Sequence, residues 1–264
     1  MAPEQLLVDI AANGVATIAF NRPDRHNAFD DAMILELANA LESLRASGDV
    51  RVLILAGQGK SFSAGADLNY MKRAAEFSTQ ENVEDAMRLG RMLVALRTLP
   101  VATVALVQGA AYGGGVGLVA ACDVVVATAS AQFALTEVKL GLVPAMISPF
   151  VVEAIGARQA RRYFQTAERF DAAQARQIGL VHDVVDNEAA LEAKRDQLVH
   201  TILGAGPEAV GHAKALVTDV AGFTVDEAGL RDLAGRIAGR RAAPEGLEGI
   251  AAFLEKRRPA WATD

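Results

Sequence analysis

Residues 97–123 read RTLPVATVALVQGAAYGGGVGLVAACD, and this stretch decides the fold. No charge lies between Arg97 and Asp123, which is length enough to cross a bilayer. Pro100, Gln108 and the glycines at 109, 113, 114, 115 and 117 argue against a span. The stretch parses instead as a buried strand over 101–107, a glycine turn and a buried helix. A helix that opens out of glycines presents unpaired N–H groups and a positive partial charge. An oxyanion or phosphate can sit against such a backbone. No Gly-Lys-Ser/Thr follows, so this is not a P-loop. The GxGxxG spacing with a later ribose-binding acid is also missing, so it is not a dinucleotide fingerprint. Close helix–strand packing is the alternative reading. Three adjacent glycines weaken a helix, which favours a ligand role.

Working outward toward the N-terminus, a second small-residue segment, Ser63-Ala64-Gly65-Ala66-Asp67-Leu68, follows a short strand at 52–56. Its small residues let a ligand approach the backbone. Taken alone, the segment is better explained as a tight turn with Asp67 as helix N-cap. Further upstream, Leu6, Val8 and Ile10 alternate, and Asn13-Gly14 signals a two-residue hairpin turn before VATIAF. Asn21-Arg22-Pro23 ends that strand. Asp30 is placed to cap a helix over 31–46 whose Met33, Leu37, Leu41 and Leu44 keep helical spacing. Another helix is expected over 81–97.

Toward the C-terminus, VVVAT at 124–128 and QFAL at 132–135 read as strands. Glu137 follows in LTEVKLGLVP at 135–144. A lone glutamate is usually a solvated charge, but apolar neighbours can tune one into an acid/base. Beyond residue 150 the pattern is helical, with segments at 150–156, 158–165, 172–178, 188–203, 207–221, 224–239 and 245–256. VHDVV at 181–185 is the one short strand there. Strands alternating with helices, then helices alone, predict an α/β core with a helical C-terminal region.

The chain has 264 residues, 52% of them hydrophobic and 5% aromatic, and a net charge of −6. That acidic balance opposes non-specific nucleic-acid binding. Cys122 is the single cysteine and reads as a small core hydrophobe. The N-terminus lacks the basic and apolar regions of a signal peptide, and the expected location is cytoplasmic. His26, His182, His200 and His212 have no metal-ligand spacing, so neither a metal nor a redox cofactor is expected.

NRPDRHNAF at 21–29, FSAGADL at 62–68, GAAYGGGVGLVAACD at 109–123, FALTEVKLGLVP at 133–144 and GIAAFLEKRR at 249–258 together resemble the crotonase superfamily of enoyl-CoA hydratases and isomerases. The resemblance implies a crotonase-type ββα spiral core over 1–200 and a helical trimerisation region over 201–264. It implies a homotrimer or hexamer acting on an acyl-CoA thioester, with coenzyme A present only as part of the substrate. Nucleic acid and membrane are not expected as partners. The backbone N–H groups of Ala66 and Gly114 match the family's oxyanion donors, and Glu137 matches a catalytic carboxylate. Substrate and CoA contacts map onto Arg25, His26, Ala64, Asp67, Leu68, Asn69, Gly113 and Gly117, and onto Phe253 and Lys256, which can come from a neighbouring subunit. A charged helix end explains Lys256 equally well.

One departure stands out. Hydratases of this kind carry a second glutamate where this chain has Gly117. Segments 141–172 and 67–77 resemble bacterial methylglutaconyl-CoA hydratases of leucine and isovalerate breakdown, and enzymes of citronellol and geraniol breakdown. The expected activity is therefore hydration of a branched 2-enoyl-CoA such as 3-methylglutaconyl-CoA. Lys72, Arg73 and Lys139 are candidates to meet the substrate's distal carboxylate. The alternatives are an enoyl-CoA isomerase using the single Glu137, and a CoA-binding homologue or RNA-binding relative without this activity.

Overall fold

The computed structural model describes residues 4–262. Nine strands are described: β1 (Leu6–Ile10), β2 (Val15–Phe20), β3 (Val52–Gly57), β4 (Ala102–Val107), β5 (Ala110–Tyr112), β6 (Val124–Thr128), β7 (Gln132–Ala134), β8 (Phe170–Asp171) and β9 (Asp183–Val185). The helices of the first half are α1 (Asp31–Ser47), α2 (Leu68–Ala74), α3 (Thr79–Arg97) and α4 (Gly114–Ala121). Those of the second half are α5 (Ser148–Thr166), α6 (Ala172–Gln177), α7 (Glu188–Leu203), α8 (Pro207–Val220), α9 (Glu227–Ala242) and α10 (Pro244–Leu254).

Six strands form one sheet in the order β1-β2-β3-β4-β6-β9, antiparallel only at the β1–β2 hairpin. The hairpin differs from its expected turn. Ala11 N donates to Val15 O and Gly14 N to Ala11 O, with Gly14 at φ +82°. That is a three-residue loop whose glycine takes the left-handed position, and the extra residue adds twist. Strand residues alternate between two cores. Leu53, Leu55, Ala105 and Val107 face the main core, while Val52, Ile54 and Val104 meet Leu191 of α7. Central parallel strands covered on both faces read as unbroken apolar runs.

Of a second layer the sequence showed one strand, the expected 132–135, which is β7. β5 pairs with β7 in parallel and β7 with β8 antiparallel. The isolated bridges Ser63–Ala111 and Phe29–Ala66 extend this line of pairing outward. Successive chain segments at 29, 63–66, 110–112 and 132–134 thus lie side by side in parallel, and 170–171 closes the line antiparallel. These pairings are two or three residues long, too short to leave a periodic signal.

Helix ends follow their caps. Asp30 accepts from Met33 N at 3.0 Å, and Ser78 with Glu81 forms a reciprocal capping box that starts α3 at 79. The two expected helices at 150–156 and 158–165 are the two halves of α5, divided where Gly156 leaves the helical conformation at φ +72°. Residues 224–226 are not helical, because Asp226 caps α9 by accepting from Gly229 N.

The C-terminal helices are tied to the core by polar contacts. Lys214 of α8 places Nζ 2.8 Å from Asp123 Oδ2 and 3.1 Å from Val101 O. Burial pulls the Lys214 ammonium below the usual lysine range, against the opposing pull of Asp123. Loss of Lys214 leaves Asp123 with Arg97 3.7 Å away and two Thr103 hydrogen bonds, so the penalty falls below that of a wholly uncompensated buried charge. Lys214→Met is expected to destabilise the fold by ~2–3 kcal/mol in urea titration, and Lys214→Met with Asp123→Asn by less. Arg51 closes the far end, with Nη2 donating to Leu203 O and Ala205 O and Nη1 to Trp261 O. α8 has no fully buried residue, α9 only Gly229 and α10 only Ala252. Cys122 is buried, and burial pushes its thiol up to about 12, as expected of a packing residue.

Candidate active site

The site forms where the glycine turn of α4, the Ser63–Asp67 loop and the turn carrying Glu137 meet. Phe29 N donates to Gly65 O and Asp67 N donates to Phe29 O. In such a parallel bridge the intervening residue turns its own N–H away from the partner. The Ala66 N–H therefore faces away from Phe29, on the side where residues 110–114 run. Gly113 N donates to Ala134 O, and Gly114 begins α4 as its first residue. Among the described residues, no acceptor is hydrogen-bonded to Ala66 N or Gly114 N. Close approach requires glycine at 65: a Cβ there would lie 2.8 Å from Tyr112 O and 3.7 Å from Gly114 N.

Glu137 begins a 3-10 turn, Glu137–Leu140. Its Oε1 lies only 3.3 Å from where a Gly113 Cβ would sit, so the carboxylate stands over the residue preceding Gly114. Its Oε2 is buried without a hydrogen-bond partner among the described residues. Burial pushes the Glu137 carboxyl above the usual glutamate range, and its own backbone N–H offsets only part of that. A desolvated, unpartnered carboxylate is a stronger base than a solvated one. The sign for stability follows: the folded state binds this proton more tightly than the unfolded chain. Glu137's favourable contribution is full below the ordinary glutamate pKa and is lost as pH rises through the raised one. Activity runs the opposite way. The acid limb of kcat/KM is expected above the ordinary glutamate value of about 4.3, with rate rising as pH rises through it. A pH–rate profile checks this.

The second-carboxylate position is closed. Gly117 is buried in α4, and a Cβ there would lie 2.2 Å from Ile147 Cγ2. Ile147 is itself 3% exposed. Gly117 therefore accepts the Ile147 side chain on this face.

The Asp67 side chain is occupied within the chain. Its Oδ1 caps α2 by accepting from Asn69 N and Tyr70 N, and its Oδ2 lies 3.1 Å from both Arg22 Nη2 and Arg25 Nη1. Burial pushes the Asp67 carboxyl up, but the Asn69 N–H, Arg25, the Tyr70 N–H and Arg22 outweigh it and hold it below the usual range. This carboxylate is consumed internally and is not offered to a ligand. The expected coenzyme segments do come together. Ala64 N donates to His26 O, His26 Nδ1 lies 3.0 Å from Ser61 Oγ, and Arg25, His26, Ala66, Leu68 and Asn69 are exposed along one rim. Phe253 and Lys256 lie at the end of α10. Phe253 is 82% exposed, and the Lys256 ammonium meets no partner among the described residues. Within one chain no hydrogen bond or ion pair joins them to that rim.

Of the candidate cations, Arg73 is committed to Asp31 at 2.6 Å. Lys72 and Lys139 are exposed and form no ion pair among the described residues. The sequence reading missed Arg22, whose guanidinium also bonds Asp30 Oδ2 and Ala28 O and so links the caps of α1 and α2. It missed the Tyr70 hydroxyl donating to the buried Asp85, which ties α2 to α3. The Arg22–Asp67 and Tyr70–Asp85 pairs leave no local signal, because their partners are 45 and 15 positions apart. Among the described residues, no group of three or more His, Cys, Asp or Glu is placed to hold a metal ion. None of their helices is long and apolar enough to cross a membrane.

Residues 11–264 match the enoyl-CoA hydratase/isomerase family, to which the chain belongs. An enoyl-CoA hydratase from Shewanella pealeana superposes with a TM-score of 0.94 at 41% identity, covering 98% of this chain and 96% of that one. AtuE of Pseudomonas aeruginosa gives 0.94 at 38% identity, covering 98% and 100%. The 2,3-dehydroadipyl-CoA hydratase of Escherichia coli is 32% identical, over 93% of this chain and 94% of its own. The family and the crotonase fold thus stand as expected from the sequence.

Proposed function

We propose that the chain adds water to a branched 2-enoyl-CoA, with 3-methylglutaconyl-CoA as the first substrate to test. Its place would be in cytoplasmic leucine/isovalerate or acyclic terpene breakdown. The observation that carries this reading is the unpartnered Glu137 carboxylate standing over Gly113, beside two unpaired backbone N–H groups. Water would lose a proton to Glu137 as its oxygen bonds to Cβ. The electron pair moves to the thioester oxygen, where Ala66 N–H and Gly114 N–H stabilise the charge. The enolate then takes that proton back at Cα, completing a syn addition. Lys72 and Lys139 are the cations left to meet a distal carboxylate. The E. coli relative's named substrate also carries one.

A second reading has its own observation. Ile147 packs hydrocarbon where a second carboxylate would stand. One base beside an apolar wall suits a Δ3-to-Δ2 isomerisation, in which Glu137 removes a proton from C2 and returns it at C4. Absorbance of the conjugated thioester separates the two. Hydration removes the conjugation and isomerisation creates it. If methylglutaconyl-CoA is inert while a 3-enoyl-CoA gains absorbance, the hydratase reading fails. A protein that binds CoA yet leaves a whole enoyl-CoA panel unchanged is an inactive homologue.

The chain is further proposed to assemble as a trimer or a pair of trimers through residues 201–264. Val217, Leu230, Ile237, Leu247, Phe253 and Leu254 are exposed there, and apolar surface on this scale seeks cover. Light scattering of the purified protein gives the subunit number.

A further inference from the structure

Phe29 touches both unpaired donors at once. Its backbone brackets Ala66, bonding Gly65 O through its N–H at 2.8 Å and Asp67 N through its carbonyl at 2.9 Å. Its ring lies against the other donor: a Cβ on Gly114 would sit 2.2 Å from the ring Cζ and within 3.2 Å of both Cε atoms. The residue is 4% exposed and belongs to the main core, so the ring is held from behind. Its near neighbours are equally constrained. Asp30 caps α1, Arg22 bonds Ala28 O and Asp30, and Asn27 is fully buried on Gln58 O and Ser61 O. The segment is thus a fixed post carrying one rigid ring.

We propose that Phe29 is the spacer that sets the separation and aim of the Ala66 and Gly114 N–H groups. It is a positioning residue for a polarised thioester carbonyl, and the inference rests on the reading of those two groups as donors to that oxygen. A backbone donor cannot be tuned by its own side chain. Its placement is tuned by what packs behind it, and an error near 1 Å can cost about a hundredfold in rate. The same contact gives a reason for glycine at 114 besides helix entry, since even alanine would collide with the ring.

Two substitutions move the ring surface in opposite senses. Phe29→Leu withdraws it from Gly114, and Phe29→Tyr adds an oxygen on Cζ, the atom nearest Gly114. The readout is the infrared C=O band of bound butyryl-CoA carrying 13C at the thioester carbonyl, alongside kcat and KM for the enoyl-CoA substrate. In the unsubstituted protein the band should lie below that of free butyryl-CoA. In both variants it should move back toward the free value, with kcat down ~10–100-fold and KM within about threefold. Phe29→Leu should also restore part of the activity lost in Gly114→Ala, by making room for the methyl group. If a folded Phe29→Leu or Phe29→Tyr protein keeps both the shifted band and its kcat, the spacer role is wrong while the donor reading stands. If the unsubstituted protein shows no shift, the donor reading itself falls, and the spacer role with it.

Discussion

Glu137→Gln is expected to lower turnover by ~100-fold or more while leaving CoA affinity and fold intact. The argument rests on what the substitution removes. Oε2 is buried and has no partner among the described residues, so no structural hydrogen bond to it is lost. The shape of the side chain is kept, and Gly113 still meets a terminal atom of the same size. Only the exchangeable charge goes. Because burial has already raised the carboxyl's pKa, ionised Glu137 costs the folded state at neutral pH. The variant should therefore melt at the same temperature or slightly higher. Stopped-time assays, CoA titration and a thermal melt measure the three quantities together. Unchanged turnover would remove Glu137 from the chemistry. A collapsed melt would mean that its role is structural.

Gly117→Glu, the substitution that would supply the absent carboxylate, is expected to cripple the protein rather than convert it. A Cβ at 117 meets Ile147 Cγ2 at 2.2 Å and its Cβ at 2.8 Å. Overpacking by a few atoms costs about 1–3 kcal/mol, and an uncompensated carboxylate in hydrocarbon adds more. The loss should reach at least ~3 kcal/mol, read as a shifted urea midpoint with little soluble protein at 37 °C. Gly117→Ala is the milder control. Its helix propensity gain of about 1 kcal/mol partly offsets the same clash. Pairing Gly117→Glu with Ile147→Ala should recover only part of the stability, because it removes the 2.2 Å clash with Cγ2 and leaves the 2.8 Å approach to Cβ. If Gly117→Glu alone is as stable as the parent, Ile147 does not occupy that position in solution.

These two residues show why the site was only partly legible. Glu137 could be singled out because its apolar neighbours are adjacent in sequence. Gly117 could be seen as a missing glutamate, but its partner is thirty positions away, in a loop with no pattern of its own. Asp67 shows the same division. Its N-cap role is local and readable from 67–70, whereas its clamp by Arg22 and Arg25 needs the chain to return on itself. Its carboxylate is therefore occupied within the chain, which leaves the backbone of the 66–69 segment for the expected CoA contact. Of the second layer only β7 was readable, as the strand expected at 132–135; the Phe29 bridge, β5 and β8 were not, because single-residue bridges and strands of two or three residues carry no periodicity.

The sequence alone determined whatever depends on neighbours along the chain. That covers the alternation of strands and helices, the caps at Asp30 and Asp67, the glycine-opened helix at 114, and, through ordered motifs, the family. Only the tertiary structure decided which groups face one another: Phe29 behind Gly114, Ile147 against Gly117, and Glu137 over Gly113 with one oxygen unpaired. The reason is physical. Propensity and capping act over a few residues. Desolvation, overpacking and donor geometry depend on atoms that arrive from distant segments, and these set how Glu137 and the two backbone donors can act.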